Sequence, residues 1–144
     1  MAKMTSDERE KFLAGLHVGV IAIERPDRAP LSVPIWYVYE PGGEVLIWTS
    51  AGSVKEKLIR AAGRFSLTAQ QEELPYKYVT AEGSVTGIEP VTIDMARAIA
   101  VRYLGEIDGP AYAEQNISPA SRLIRMRPEH WLSTDYSKDQ RPGS

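Results

Sequence analysis

The 144-residue sequence contains no cysteine, and only two histidines and two phenylalanines. The absence of cysteine excludes disulfide bonds, thiolate nucleophiles and cysteine-based metal sites. The net charge of −2, without a long basic stretch, provides no general attraction for nucleic acid. No apolar run approaches the length of a membrane span, and the first residues are too polar for a secretory signal. We therefore expect a cytoplasmic protein that binds neither membranes nor nucleic acid, and we expect no metal site.

The composition is that of an ordinary globular protein, with 43 % hydrophobic and 25 % charged residues. A chain of this length suits one domain. We expect this domain to span residues 1–136, and we expect the polar residues 137–144 to form a disordered tail. Because the domain is too small to enclose a large cofactor comfortably, a second subunit could help to build such a site.

Six segments are rich in β-branched and aromatic residues and are separated by turn residues, which is typical of antiparallel strands. They are residues 17–24, 31–40, 44–49, 64–70, 76–88 and 121–127, with residues 130–133 as a continuation of the last strand after Pro128. The first strand is almost continuously apolar, which predicts burial on both faces. Gly83, inside the fifth strand, indicates a β-bulge or a close approach of two backbones.

Three segments have the apolar periodicity of helices, namely residues 5–16, 53–62 and 92–104. Thr5 with Glu8, and Ser53 with Glu56, have the spacing of capping boxes at the first two helix starts. Gly105 predicts the end of the third helix, and residues 106–119 are interpreted as a loop, with a short helical turn inside it as an alternative. Six strands with short helices at the crossovers favour a mainly β protein with a small closed or partly closed antiparallel barrel.

The start of the second helix has the features of an anion site. A strand ends in the hydroxyl residues Thr49 and Ser50, a glycine follows, and a helix begins at Ser53. Helix starts carry unpaired amides and partial positive charge, so cations usually avoid them. Lys55 and Lys57 lie there nonetheless, which predicts that a phosphate compensates their charge. The alternative is a capped surface helix with solvated lysines; the segment lacks the spacing of a P-loop.

Aromatic residues with polar tips are the second clue to a site. They are Trp36, Tyr37, Tyr39, Trp48, Tyr76 and Tyr78. Such side chains suit a wet pocket or a subunit interface, although packing in a barrel core or stacking on the surface is the better explanation for any single one of them. Pro34 cannot donate a ladder hydrogen bond, so its position should be an edge, a bulge or an opening that faces a ligand.

Several short motifs recur in an order typical of one family. They are Pro34-Ile35-Trp36-Tyr37, Trp48-Thr49-Ser50 followed by Ser53 and Lys55, residues 63–67, Pro75-Tyr76-Lys77-Tyr78-Val79, and Glu82-Gly83. On these motifs, over residues 5–136, the chain resembles the pyridoxamine 5′-phosphate oxidase-like split β-barrel proteins. Within them it is similar to the actinobacterial flavin/deazaflavin oxidoreductases, many of which use coenzyme F-420.

The resemblance implies a six-stranded antiparallel split β-barrel that forms a homodimer, with the cofactor between the subunits. It implies that the segment 49–57 holds the cofactor phosphate, that the ring lies along residues 32–36, and that the backbone of residues 78–81 makes further contacts. The cofactor-binding residues expected on this basis are Ser32, Pro34, Ile35, Trp36, Thr49, Ser50, Ser53, Lys55, Lys57, Tyr78, Val79 and Ala81. Trp131 of the partner subunit is a candidate to close the site.

The expected function is an oxidoreductase that binds coenzyme F-420 and passes a hydride to a small unsaturated substrate. An FMN-binding oxidoreductase and a flavin or deazaflavin carrier without turnover are the alternatives. Oxidation of pyridoxamine phosphate is disfavoured, because Val54 and Glu56 dilute the positive charge and no Arg/His cluster for a substrate phosphate is visible. No catalytic pair is evident: His17 and His130 are interpreted as structural, and Tyr76 is a candidate to polarise a substrate carbonyl.

Overall fold

The computed structural model describes residues 2–138, which form a mainly β structure with three α-helices and seven strands. The strands are β1 (Gly19–Ile23), β2 (Leu31–Ile35), β3 (Tyr37–Tyr39), β4 (Val45–Ser50), β5 (Arg64–Gln71), β6 (Lys77–Pro90) and β7 (Ser121–Asp135). The helices are α1 (Ser6–Ala14), α2 (Val54–Ala62) and α3 (Ile93–Asn116), and a 3-10 helix covers Tyr136–Lys138. The predicted disordered tail therefore starts within this 3-10 helix, and its residues 139–144 lie outside the described residues.

The seven strands form one antiparallel sheet in the order β2-β1-β5-β6-β7-β4-β3. The two edge strands, β2 and β3, follow each other in the chain and are separated by Trp36 alone. The sheet therefore curls until its two edges meet end to end at Trp36, without a ladder of hydrogen bonds that would close it.

The strand count differs from the predicted six because the segment 31–40 serves two neighbours. Its first part pairs with β1 and its second part pairs with β4, so the strand must break between them. The six-strand prediction is wrong at this point, whereas the mainly β fold is confirmed. The predicted last strand and its continuation form one long strand, β7, which runs through Pro128.

Gly83 allows β6 and β7 to approach closely, as predicted. The pairing register shifts between Glu82 and Gly83, which marks a bulge. A Cβ atom at Gly83 would lie 1.7 Å from the carbonyl oxygen of Arg127, so only glycine fits here.

The main core lies inside the curled sheet, and a second cluster lies under α3. The main cluster includes the fully buried side chains of Ile21, Ile47, Leu67, Val79 and Ile124. Strand β1 alternates rather than being buried on both faces, which corrects the prediction for residues 17–24. Val18, just before the strand, and Val20, on its outer side, are 53 % and 39 % exposed.

Helix α3 continues where a loop was expected. Gly105 interrupts the helix with φ 91°, so the predicted stop is a local break, and a second helical segment reaches Asn116. The loop predicted for residues 106–119 is therefore wrong over 106–116. Gly109 packs against the backbone of Val101, where an added Cβ would come within 2.6 Å of Cα, and this tertiary contact holds the second segment in place. None of the described helices is long and apolar enough to cross a bilayer.

Candidate functional site

A cleft of about 770 Å³ opens where the chain passes from β2 to β3. The end of β4, the start of α2 and both segments of α3 complete its walls. Its lining residues are Val18, Leu31, Val33, Pro34, Ile35, Trp36, Trp48, Thr49, Ser50, Ser53, Val54, Lys55, Ile99, Tyr112 and Asn116. Lys55 is the one charged residue among them, so the cleft is otherwise neutral.

Seven of the twelve predicted site residues line this cleft. They are Pro34, Ile35, Trp36, Thr49, Ser50, Ser53 and Lys55. The two sequence segments meet because β3, which follows Trp36, pairs with β4, which ends at Ser50. The structure thus brings the predicted ring-binding and phosphate-binding segments to one opening.

The other five predicted residues lie outside the cleft. Ser32 and Lys57 are exposed, and Tyr78 borders a separate small hollow beside Gln70. The side chains of Val79 and Ala81 are fully buried in the barrel core. Their strand, β6, lies between β5 and β7, so its backbone is already engaged in two ladders. The contacts expected from these five residues stay predictions.

The start of α2 is held by hydrogen bonds that turn its only acidic residue inward. Ser53 Oγ accepts a hydrogen bond from the amide of Glu56 at 3.1 Å and lies 3.3 Å from Thr49 Oγ1. The Glu56 carboxylate is buried, accepts from the amide of Gly52 at 3.0 Å, and pairs with Arg60. The predicted capping box is thus half formed, because Glu56 bonds to Gly52 instead of returning to Ser53. The amide of Gly52 and the Arg60 guanidinium lower the pKa of Glu56.

This inward turn of Glu56 leaves positive charge at the cleft. The amides of Val54 and Lys55 have no acceptor among residues 2–138. Lys55 is partly buried, makes no ion pair within the same residues, and has its pKa lowered by burial. A partly desolvated ammonium beside two free amides at a helix start is an arrangement that an anion stabilises. The site therefore has the electrostatics to hold a phosphate.

The rest of the cleft wall is aromatic and apolar. The rings of Trp36 and Tyr112 lie 5.1 Å apart, and Trp48 lies 6.2 Å from Tyr112. Behind the cleft, Trp36 stacks on Tyr103 at 4.9 Å with nearly parallel planes. Such walls suit a flat conjugated ring, which gains contact area on aromatic faces.

The family follows from a comparison of sequence profiles. The profile of the pyridoxamine 5′-phosphate oxidase family matches residues 5–135, nearly the whole chain. The chain belongs to the pyridoxamine 5′-phosphate oxidase family. No curated protein sequence matches this member of the family.

Solved structures show that this oxidase-family chain shares its fold with several proteins. A conserved hypothetical protein of Mycobacterium tuberculosis is 23 % identical, with a TM-score of 0.80 over 99 % of this chain and 92 % of that one. A protein described as F420 reductase is 22 % identical, with a TM-score of 0.72 over 85 % and 94 %. An FAD-binding protein of Mesorhizobium loti is 22 % identical, with a TM-score of 0.66 over 90 % and 92 %. At these identities the likeness shows the fold alone.

The sequence analysis did not predict that α3 lines the cleft. Ile99, Tyr112 and Asn116 line the cleft from this helix. The last two were missed because their segment was interpreted as a loop. Their spacing of four residues is a helical signal, and the Asn116 side-chain amide donates to the Tyr112 carbonyl at 2.8 Å.

The two histidines lie outside the cleft, as their structural interpretation requires. His17 Nε2 is 3.0 Å from the carbonyl oxygen of Phe12, and burial lowers the pKa of His17. His130 borders a separate hollow on the outer face, opposite Glu82 in the β6–β7 ladder. No group of three or more His, Asp or Glu residues in the described part of the chain could hold a metal ion.

Two further aromatic candidates also lie away from the cleft of their own chain. Trp131 packs against Tyr39, with ring centroids 6.0 Å apart, and the Arg9 guanidinium lies 4.8 Å above its ring. Tyr76 is half exposed beside the small hollow that Tyr78 borders. Their roles in closing the site and in polarising a substrate stay predictions.

Proposed function

We propose that the protein is an oxidoreductase that binds a flavin-type cofactor in the cleft, with the cofactor phosphate at the start of α2. The observation that carries this proposal is Lys55, a partly buried ammonium without an anionic partner in residues 2–138, beside the free amides of Val54 and Lys55. The fold is shared with proteins described as an F420 reductase and an FAD-binding protein, which supports a cofactor of this type.

We take coenzyme F-420 as the cofactor, with FMN as the alternative. A phosphodiester, as in coenzyme F-420, carries one negative charge, whereas a phosphate monoester such as that of FMN carries about 1.5 to 2. Among residues 2–138, Lys55 is the single charged residue that lines the cleft. At the phosphate group itself, one ammonium assisted by neutral donors matches the single charge of a diester more closely than the charge of a monoester.

The cofactor supplies the hydride chemistry, and the chain supplies binding and the exclusion of water. Lys55, the amides of α2 and the hydroxyls of Thr49 and Ser50 hold the phosphate. The apolar side chains of Ile35 and Ile99 keep water from the interior of the cleft. The neutral walls select an uncharged, unsaturated substrate over a phosphorylated one.

The same proposal includes a homodimer with the cofactor at the subunit interface. Five residues, one from each of five neighbouring strands, form a row across the outer face of the sheet, and none of them is charged. They are Pro34, Val20, Thr68, Thr80 and Leu132. Leu132 is 61 % exposed, and the hydroxyls of Thr68 and Thr80 satisfy each other at 2.7 Å. Since Pro34 also lines the cleft, a second copy on this face would lie at the cleft's edge. A cytoplasmic location stays part of this proposal.

Titration of the purified protein with coenzyme F-420 and with FMN, followed by absorbance and fluorescence, tests the proposal. Oxidation of the reduced cofactor is then measured with an α,β-unsaturated ketone as acceptor. Tight binding of coenzyme F-420 with turnover is the expected result. Binding without turnover on any acceptor supports the carrier alternative, and binding of neither cofactor contradicts the proposal.

A further inference from the structure

The ladder between β1 and β2 ends two pairs before His17 and Tyr37, which its register would bring opposite each other. The last pair is Gly19 with Ile35, and the same register carried two residues further would pair His17 with Tyr37. Instead the strands separate, because the segment that pairs with β1 up to Ile35 pairs with β4 from Tyr37 onward. The peptide groups of His17 and Tyr37 therefore need other partners.

The hydroxyl of Tyr103 occupies the position between these two residues. It accepts a hydrogen bond from the amide of Tyr37 at 3.1 Å. It donates to the carbonyl of His17 at 2.7 Å, with the carbonyl of Tyr37 as a second acceptor at 3.0 Å. One side chain from α3 thus bridges the segment before β1 and the start of β3, and it satisfies backbone groups of His17 and Tyr37 that the break leaves unpaired.

The ring of Tyr103 supports the cleft from behind. It stacks on Trp36 with centroids 4.9 Å apart and planes 3° from parallel, the geometry of offset aromatic pairs. Trp36 lines the cleft, whereas Tyr103 does not. Tyr103 therefore contacts both the backbone at the strand break and the indole of Trp36, which lies at the break.

We propose that Tyr103 is the positioning residue of the cleft. It links the segment before β1 to the start of β3 at the break and presents the indole of Trp36 as a rigid wall for the cofactor ring. The effect on cofactor binding rests on the proposed function, whereas the position of the indole can be measured without any cofactor.

The indole N–H resonances of the three tryptophans provide the test of position. They are assigned in the unliganded protein by single Trp→Phe variants and compared among Tyr103→Leu, Tyr103→Phe and the wild type. Tyr103→Leu should shift and broaden the Trp36 resonance, because the ring current is lost and the indole is no longer held in one orientation, while Tyr103→Phe should leave it sharp and close to the wild-type position. Tyr39→Phe is the matched control: its hydroxyl bonds to Glu10, away from the cleft. It should leave the Trp36 resonance unchanged.

Affinity for coenzyme F-420 provides the second readout. Tyr103→Leu should weaken binding about tenfold, and Tyr103→Phe, which keeps the stack, about threefold or less. An unchanged Trp36 resonance in folded Tyr103→Leu would overturn the proposal, even if its melting temperature fell. If the wild type binds neither cofactor, the proposed function fails, and the Trp36 resonance alone decides the role of Tyr103.

A variant that does not fold leaves the proposal open to a further test. If Tyr103→Leu is unfolded, hydrogen exchange at the Tyr37 amide is compared between Tyr103→Phe and the wild type. Loss of the acceptor hydroxyl should accelerate this exchange. Equal protection in both proteins would contradict the bridging role.

Discussion

Lys55 and Lys57 lie two residues apart at the start of α2, yet Lys55 lines the cleft and Lys57 is exposed outside it. Two residues correspond to more than half a turn of helix, so the two side chains leave the helix on different sides. The chain therefore contains its own control for the candidate anion site, because two lysines lie near the same helix start and one of them lines the cleft.

Removal of the Lys55 charge should stabilise the protein without cofactor. Burial lowers the pKa of Lys55, so the folded state disfavours its ammonium form. Lys55→Met should raise the melting temperature of the unliganded protein, whereas Lys57→Met should leave it nearly unchanged. The same Lys55 variant should bind the cofactor more weakly. A lower melting temperature for Lys55→Met would show that the ammonium has a stabilising partner.

The pH dependence of stability should follow the same group. Because the pKa of Lys55 is lower in the folded than in the unfolded protein, the unfolded chain binds more protons between the two values. The free energy of unfolding therefore increases, and the folded state becomes more stable, as the pH rises from the folded-state pKa of Lys55 towards its unfolded-state pKa. Denaturation series at alkaline pH should show this gain in the wild type and not in Lys55→Met. Parallel curves for the two proteins would contradict the assignment.

Glycine at position 83 should be needed for folding stability. An alanine there would place Cβ against the Arg127 carbonyl, so Gly83→Ala should destabilise the protein by about 1–3 kcal/mol or more. Gly87→Ala on the same strand is the control, since its nearest heavy atom would be the Arg125 side chain at an ordinary 3.7 Å. Urea denaturation measures both. Equal stabilities for the two variants would show that β7 moves aside freely.

Local signals explain why much of the fold was accessible from the sequence. Two of these signals, the capping box of Thr5 with Glu8 and the helix start at Ser53, depend on residues close in the chain. The third, the bulge at Gly83, depends on a close backbone approach that only glycine allows. The position of the candidate anion site at the cleft was accessible for the same reason, because Ser53 and Lys55 belong to one helix start.

The missed features depend on contacts between distant residues. The break at Trp36 arises because one segment must pair with both β1 and β4, which no local pattern encodes. The second segment of α3 is held by the contact of Gly109 with Val101, and it carries Tyr112 into the cleft. Val79 does not line the cleft, because the alternation of β6 turns its side chain into the core, and the backbone contact expected there stays a prediction.

The outer sheet face should hold the proposed dimer together. Leu132→Arg would place a charge in the neutral row of that face, so it should dissociate the dimer at micromolar concentrations. Ile107→Arg is the control, because Ile107 is 88 % exposed on α3 and lies outside the row. Light scattering after size-exclusion chromatography measures the mass of each variant. A wild type that is monomeric, or a Leu132→Arg variant that stays dimeric, would contradict the proposed interface.

The most direct test of the phosphate site is calorimetric titration of coenzyme F-420 into the wild type, Lys55→Glu and Lys57→Glu at one pH and salt concentration. A reversed charge at the phosphate should weaken binding by at least about tenfold for Lys55→Glu, and by less than about twofold for Lys57→Glu. Equal affinities of all three proteins, with the fold intact, would show that the start of α2 does not hold the cofactor.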